Sequence, residues 1–175
     1  MLKKVAIAVV VLILILLGVA AMQPDSYKVT RSATIKAPPE KIIPLISDFH
    51  NWASWSPWEN LDPTMKRTFS GAAKDKGAVY AWEGNDKVGA GRMEILDVAQ
   101  PTKVDIKLDF LRPFESHCQT VFTLEPKGDN TTVTWTMSGP SAFITKLMGL
   151  FASMDSMIGK DFEAGLASMK SAAEK

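Results

Sequence analysis

Few titratable side chains of this sequence are candidates for acid–base catalysis, which needs a group held in an apolar pocket at a shifted pKa. His50 lies beside Asp48 in a segment predicted to be helical, and His117 precedes Cys118 on a predicted strand. Because side chains alternate along a strand, we expect His117 to face outward. We expect His50 to cap its segment or to face solvent. The sequence therefore predicts no catalytic residue.

Nucleophilic catalysis and metal binding have equally little support in the sequence. Cys118 is the single cysteine, and it lies on the inward face of its predicted strand without a basic neighbour, which is typical of a small buried hydrophobic residue. Ser54 and Ser56 lack the context of a nucleophile elbow. No cluster of cysteine and histidine is present in the sequence, so we predict neither a metal site nor a cofactor.

Two charged side chains are candidates for contact with the polar head of a ligand. Arg92 follows Gly91, where a bulge would turn it inward, and Glu83 follows Trp82 at the end of a predicted hairpin. A salt bridge or a solvated charge explains either residue more simply.

An uncharged run of 18 residues, 5–22, directly follows Lys3 and Lys4. As a helix it would be roughly 27 Å long, enough to cross a thin hydrocarbon core, and the lysines would stay on the cytoplasmic side. A cleaved secretory signal is the alternative, because residues 18–21 are small. The run exceeds the roughly 7–15 residues of a signal's apolar region, which favours an uncleaved anchor.

We therefore expect three parts: a membrane anchor over 1–23, a short stalk over 24–26, and one exported domain over 27–175. The part after the anchor has the size of one ordinary domain with a full core. Without Lys3 and Lys4 it carries 18 basic and 19 acidic side chains, interspersed along the chain. Such a surface offers no footprint for a phosphate backbone, which argues against a nucleic-acid partner. The sequence gives no evidence about oligomeric state.

Alternating patterns predict six strands after Met65, and a further strand over 27–36. The clearest strand is 103–110, in which apolar and charged residues alternate strictly. Gly128-Asp129-Asn130 marks a hairpin between the last two strands. Strands that follow one another through hairpins form an antiparallel sheet.

Helical patterns flank these strands. Pro38-Pro39-Glu40 opens a first helix, and residues 48–57 predict a second, short one. After Ser141 the 3.6-residue period runs for about thirty residues to the C-terminus. Because a long amphipathic helix needs one apolar surface, we expect it to lie on the sheet. Its apolar stripe consists of Phe143, Leu147, Leu150, Met154, Met157, Ile158, Phe162, Leu166 and Met169.

Five motifs occur in order along the chain: 32–42 (SATIKAPPEKI), 48–52 (DFHNW) running into 55–58 (WSPW), 77–85 (GAVYAWEGN), 89–93 (GAGRM) and 159–166 (GKDFEAGL). Together they resemble the SRPBCC, or START-like, helix-grip superfamily, in its polyketide cyclase/dehydrase-like branch. The resemblance implies an α+β fold in which a curved antiparallel sheet of about seven strands (β-α-α-β6-α) wraps around a long C-terminal helix. Here the N-terminal transmembrane helix precedes that domain.

The resemblance also implies an elongated apolar cavity between sheet and helix, where many members hold a lipid, sterol, hormone or polyketide. Tryptophan suits a cavity wall because it combines a large apolar area with one N–H donor, and methionine adapts to irregular ligands. We expect Trp58 to act as a gate. The predicted ligand-binding residues are Trp55, Trp58, Tyr80, Trp82, Met93, Leu108, Phe110, Phe122, Trp135, Met154 and Met157.

Ordinary core packing explains several of these residues as well. Trp52 and Trp55 lie three residues apart on one helix face, a spacing that stacks them under a loop. The methionines of the last helix are equally compatible with filling gaps in a core. The sequence alone leaves both explanations open.

Three functions are compatible with these features. The first, which the tether favours, is non-catalytic binding or transfer of a small lipid-like ligand by a single-pass membrane protein with an exported domain. The second is a polyketide cyclase-like enzyme acting on an aromatic or acyl substrate. The third is a structural module of the cell envelope with a solid core.

Overall fold

Seven strands form one antiparallel sheet, as the computed structural model of residues 1–175 shows. Their order across the sheet is β1-β7-β6-β5-β4-β3-β2, so each strand from β2 to β7 pairs with its neighbours in sequence and β1 pairs with β7. The predicted seven-stranded arrangement is confirmed. The bounds are β1 Ser26–Ile35, β2 Lys66–Gly71, β3 Ala78–Glu83, β4 Ala90–Ala99, β5 Lys103–Arg112, β6 Ser116–Lys127 and β7 Asn130–Pro140.

The alternation along each strand decides which face of the sheet is buried. In β5, Val104, Ile106 and Leu108 are buried, whereas Lys107 between them is exposed. Across the sheet, Ile106 pairs with Thr120 and Leu108 with Cys118, which places both pairs on the inner face. Two register shifts between β4 and β5 mark bulges, and bulges increase the local twist and bend of a sheet.

A short helical region connects β1 to β2. Helix α2 (Pro39–Ser47) buries Ile42, Ile43 and Ile46, and two 3₁₀ helices follow over Phe49–Ser54 and Pro57–Asn60. The predicted proline-initiated helix and the second helical segment are both present. In this region the indole N–H groups of Trp52 and Trp55 donate to the carbonyl oxygens of Ile46 and Leu45, at 3.0 and 2.7 Å.

The C-terminal helical region is two helices rather than the single long helix predicted from its period. Helix α3 (Phe143–Gly149) ends before a break at 150–153, and α4 (Met154–Ala173) begins there. The break has a local cause: Ser153 adopts an extended conformation, and its hydroxyl accepts the Ser156 N–H at 3.1 Å as an N-cap. The apolar side chains of α3 therefore do not continue the stripe that lies on the sheet.

Helix α4 runs along β1 and covers the inner face of the sheet. Arg31 on β1 forms ion pairs with Asp155 and Glu163, each with N···O 2.7 Å, near the first half of the helix. At the other end the Glu174 carboxylate accepts the Lys36 N–H at 2.6 Å. Phe162, Leu166 and Met169 point into the core from the same face of α4.

Helix α1 (Leu2–Ala21) precedes the sheet and is long and apolar enough to cross a membrane. Nearly all of its side chains are exposed, but Leu16 is partly buried and Ala20 is fully buried. These two residues lie four apart on one face of the helix, and α1 is in contact with α3.

The burial pattern of α4 leads to a first test. We expect Leu166→Ala to lower the free energy of unfolding by about 2–5 kcal/mol, because Leu166 is buried against the sheet. Met157→Ala, on the exposed side of α4, should lower it by less than about 1 kcal/mol. Denaturant unfolding of the full chain in detergent, followed by circular dichroism, measures both. Similar losses would place Met157 in the core and contradict the observed orientation of α4.

Candidate functional site

A cavity of about 270 Å³ lies between the inner face of the sheet and the first half of α4. Thirteen of its 21 lining residues are hydrophobic. At one end the lining reaches the loop between β3 and β4 and the exposed residue Arg112 at the end of β5, and the cavity opens there. We call this end of the domain the mouth end.

Seven of the predicted ligand-binding residues line this cavity. Tyr80 and Trp82 come from β3, Met93 from β4, and Trp135 from β7, which are the inward positions of their strands. Trp58 comes from the second 3₁₀ helix and is only partly buried. The structure thus brings these side chains together, and their role in binding stays a prediction. The full set is Trp58, Tyr80, Trp82, Met93, Leu108, Phe110 and Trp135.

Four predicted residues lie outside the cavity. Trp55 is 2% exposed and Phe122 is fully buried, and their ring centroids lie 6.0 Å apart in the solid part of the core. Met154 and Met157 lie in the first turn of α4 because that helix begins later than the sequence period suggested. Met154 is partly buried and Met157 is 46% exposed. The helical side of the cavity is built instead by Ile158 and Phe162.

An aromatic stack separates the cavity from the solid core. The rings of Trp135 and Phe162 lie parallel, with centroids 4.0 Å apart, and Trp135 stacks on Phe122 from the other side at 4.9 Å. Trp58 meets Trp135 edge-on at 5.7 Å. The Nε1–H of Trp135 is buried and has no hydrogen-bond partner within the protein. It is therefore a donor left over for a water molecule or a ligand oxygen.

A buried carboxylate in the cavity wall was missed by the sequence reasoning. Glu59 is 8% exposed, and its two oxygens accept hydrogen bonds from the Tyr80 hydroxyl at 2.6 Å and from the Arg67 Nε–H at 2.7 Å. Burial and the bond to Glu59 raise the pKa of Tyr80, so its hydroxyl stays protonated. The hydrogen bond to Glu59 likewise raises the pKa of Arg67. The group is a closed ion pair that fixes the 3₁₀ segment to the sheet.

A second polar group holds the loop at the mouth. The Asp62 carboxylate accepts the Thr64 hydroxyl at 2.7 Å and the Asn85 N–H at 2.8 Å, and the bond from Thr64 contributes most to the lowered pKa of Asp62. Gly89, in the same loop, has φ +63°, and a Cβ there would overlap the Arg112 carbonyl. The β3–β4 loop is therefore held by Asp62 at Asn85 and packs closely against β5 at Gly89.

The other chemically active side chains do not converge on the cavity. His50 is exposed, pairs with Asp48 at 2.8 Å and stacks on Phe69. His117 faces outward, as predicted, and its Nδ1 lies 2.7 Å from Asp109. Cys118 is buried on the inner face, as predicted, with its sulfur 3.0 Å from the Tyr27 hydroxyl.

The two charged candidates for a ligand head group are engaged in ion pairs. Arg92 contacts Glu94 at 2.8 Å and does not line the cavity, although a register shift lies just before it, between Ala90 and Gly91. Glu83 is largely exposed and lies 3.4 Å from Arg112. Both residues therefore form salt bridges, the simpler of the two explanations considered from the sequence.

Comparison with solved structures supports the fold. The domain is similar to a Helicobacter pylori protein, with 10% identity, TM-score 0.64, and coverage of 84% of this chain and 88% of that chain. It is also similar to an Aha1 protein from Colwellia psychrerythraea, solved as a dimer, with 20% identity, TM-score 0.60, and coverage of 85% of this chain and 96% of that chain. A Chromobacterium violaceum protein matches with 14% identity, TM-score 0.57, and coverage of 87% of this chain and 99% of that chain. At these identities the likeness establishes the fold alone.

The family comparison is more informative. A search of curated protein sequences finds no match to the chain. The family model described as polyketide cyclase/dehydrase and lipid transport matches residues 26–174, which is most of the chain and the whole of the sheet with α4. The resemblance seen in the sequence motifs is thereby confirmed, and the chain belongs to the polyketide cyclase/dehydrase and lipid transport family.

Proposed function

We propose that this protein is a single-pass membrane protein whose exported domain binds a small lipid-like molecule and exchanges it with the bilayer without changing it chemically. The observation that carries the proposal is the apolar cavity of about 270 Å³, open at one end and lined by seven inward side chains of the predicted set. The family description, which includes lipid transport, supports the same class of ligand.

The size of the cavity favours a small ligand. Its volume of about 270 Å³ lies just below the roughly 300–1,000 Å³ of typical ligand pockets. It is roughly twice the 150 Å³ apolar cavity that binds benzene in an engineered protein. A one- or two-ring compound or part of an acyl chain fits this space, whereas a complete diacyl lipid does not.

The distribution of polar groups favours a ligand with one polar end. Inside, the polar groups of the lining include Ser56, Thr120, the ion-paired Glu59 and the unpartnered N–H of Trp135. At the mouth, the lining includes the charged side chains Asp86, Lys87 and Arg112. In a molecule with its apolar part inside and its polar part at the mouth, the apolar part would contact the lining and the polar part would contact charged side chains or water.

The anchor completes the proposal. We propose that residues 1–23 span the membrane with Lys3 and Lys4 on the cytoplasmic side, that 24–26 form the stalk, and that 27–175 form the exported domain. A lipid-like ligand has a low concentration in water, so a domain held beside the bilayer stays close to its source. An acid–base enzyme finds less support, because His50 and His117 both lie away from the cavity.

Cavity filling provides a direct test. We expect Met93→Trp to weaken binding of a fluorescent fatty acid about tenfold or more, because the added ring occupies the cavity and overpacking of this kind costs about 1–3 kcal/mol. Met157→Trp makes the same exchange on the exposed side of α4 and should leave the affinity unchanged. Fluorescence titration of the full chain in detergent measures both, with circular dichroism as the folding control. Unchanged affinity in Met93→Trp would refute the cavity as the binding site.

The natural occupant can be identified as well. We expect native mass spectrometry of the protein, extracted from its own membrane in mild detergent, to show a small apolar molecule bound with a stoichiometry of about one. A protein that is empty and that binds no apolar probe would favour the structural module instead.

The anchor has its own test. We expect the membrane fraction to contain chains whose N-terminal sequence begins ahead of residue 5, because the long apolar run favours retention over cleavage. N-terminal sequencing of the membrane and soluble fractions decides the point. A mature chain beginning near Ala21 would show that the segment is a cleaved signal.

A further inference from the structure

The register of the sheet places the stalk and the cavity mouth at the same end of the domain. Ser26 at the start of β1 pairs with Pro140 at the end of β7, and Phe110 near the end of β5 pairs with Ser116 at the start of β6. Glu83 pairs with Ala90 across the β3–β4 loop. Because neighbouring strands are antiparallel, all these ends lie along one edge of the sheet. The four residues 22–25, at most about 14 Å when extended, join this edge to α1.

Helix α3 is attached to the anchor at the same end. The Asp25 backbone carbonyl accepts the Ser141 N–H at 2.8 Å, and the Asp25 carboxylate pairs with the Lys146 ammonium group of α3. Helix α1 contacts α3, and the two residues of α1 that are partly or fully buried, Leu16 and Ala20, belong to its last two turns. The last turns of a membrane span reach the boundary between acyl chains and headgroups. If α1 spans the membrane, α3 lies at that depth.

Five large apolar side chains at this end are exposed. Helix α3 has no buried residue, and Phe143, Ile144 and Met148 are 51%, 44% and 42% exposed. Phe151, in the break before α4, is 78% exposed, and Phe114, in the loop between β5 and β6, is 60% exposed. Exposed large aromatic and aliphatic side chains that share one end of a domain are typical of an interaction surface. We call these five residues the mouth-end surface.

We propose that the mouth-end surface lies in the outer leaflet of the bilayer, next to the protein's own anchor, and thereby sets the cavity opening directly on the lipid. The inference rests on the proposed anchor and deepens the proposed function. A short helix with one exposed apolar side, lying parallel to the surface, buries that side about 5–10 Å into the headgroup and acyl boundary. The bilayer is favoured over a protein partner because α3 is already packed against the segment that would cross it.

This position would change the route of the ligand. With the opening on the lipid, an apolar molecule passes from the leaflet into the cavity without entering water. The charged residues that line the mouth, Asp86, Lys87 and Arg112, would then lie at headgroup level, where the two basic side chains extend their charges into the polar layer. The opposite end of the sheet, with the hairpin between Lys127 and Asn130, would point away from the membrane.

Site-specific fluorescence tests the position of the surface. Full-length protein carrying Cys118→Ala and Phe151→Cys is labelled with the fluorophore NBD and reconstituted in phosphatidylcholine vesicles that contain nitroxide-labelled acyl chains. The matched control is Asp129→Cys, in the distal hairpin. We expect about a twofold or greater loss of emission at position 151 and none at position 129, because only the former would lie within the leaflet.

A transfer measurement connects the surface with the ligand route. We expect the double variant Phe143→Glu/Phe151→Glu to slow transfer of a fluorescent fatty acid between vesicles and the cavity about tenfold, because charged side chains are disfavoured below the headgroups. Its equilibrium affinity for the same probe in detergent should stay unchanged. Met93→Trp, in contrast, should lose affinity in both settings, so the two proposals fail in different measurements.

Each outcome of the quenching experiment supports or overturns the proposed membrane position. Quenching at position 151 alone supports the membrane position, even if the cavity binds no probe and the proposed function fails. Absence of quenching at position 151, in protein whose mass shows α1 to be intact, overturns it. Emission that changes with the ratio of protein to lipid but is not quenched would assign the surface to a second copy of the chain and also overturns it.

Discussion

The stacked contact between Phe162 on α4 and Trp135 on β7 determines how closely the C-terminal helix approaches the sheet. The two rings are nearly parallel, with centroids 4.0 Å apart, and Trp135 rests in turn on Phe122. Beyond this stack, Leu166 and Met169 fill the space between helix and sheet. On the other side of it, the side chains of the lining leave a cavity of about 270 Å³ between them. The solid core and the cavity are thus two halves of one helix–sheet interface.

Such a hollow lowers stability, because its lining atoms lose the dispersion contacts that a filled core provides. The walls keep their shape through two polar groups that lie at the edge of the cavity. Glu59, held by Tyr80 and Arg67, attaches the 3₁₀ segment to the sheet, and Asp62 attaches the β3–β4 loop. The cavity therefore costs the protein packing contacts, and the buried polar contacts keep its walls in place. A ligand bound in the cavity would supply the missing contacts.

The two ends of the sheet carry different elements. Helix α1, α3 and the cavity mouth share one end, and the β6–β7 hairpin lies at the other, because the antiparallel register brings alternate strand ends together. The break before Ser153 separates α3 from α4, the helix that lies on the sheet.

Local patterns in the sequence determined the strands, the hairpin order, the apolar N-terminal run and the inward side of each strand, since these depend on periods of two or 3.6 residues and on turn chemistry. They could not show whether an inward side chain such as Trp55 or Trp82 meets another side chain or open space. That depends on the helix–sheet distance set by Phe162 and Trp135, two residues far apart in the chain. The contacts of Glu59 with Arg67 and Tyr80 were decided by tertiary structure for the same reason, because these partners lie on strands that must first pack against the 3₁₀ segment. The split of the last helix has a local cause, the Ser153 cap, which the 3.6-residue period of the apolar side chains does not reveal.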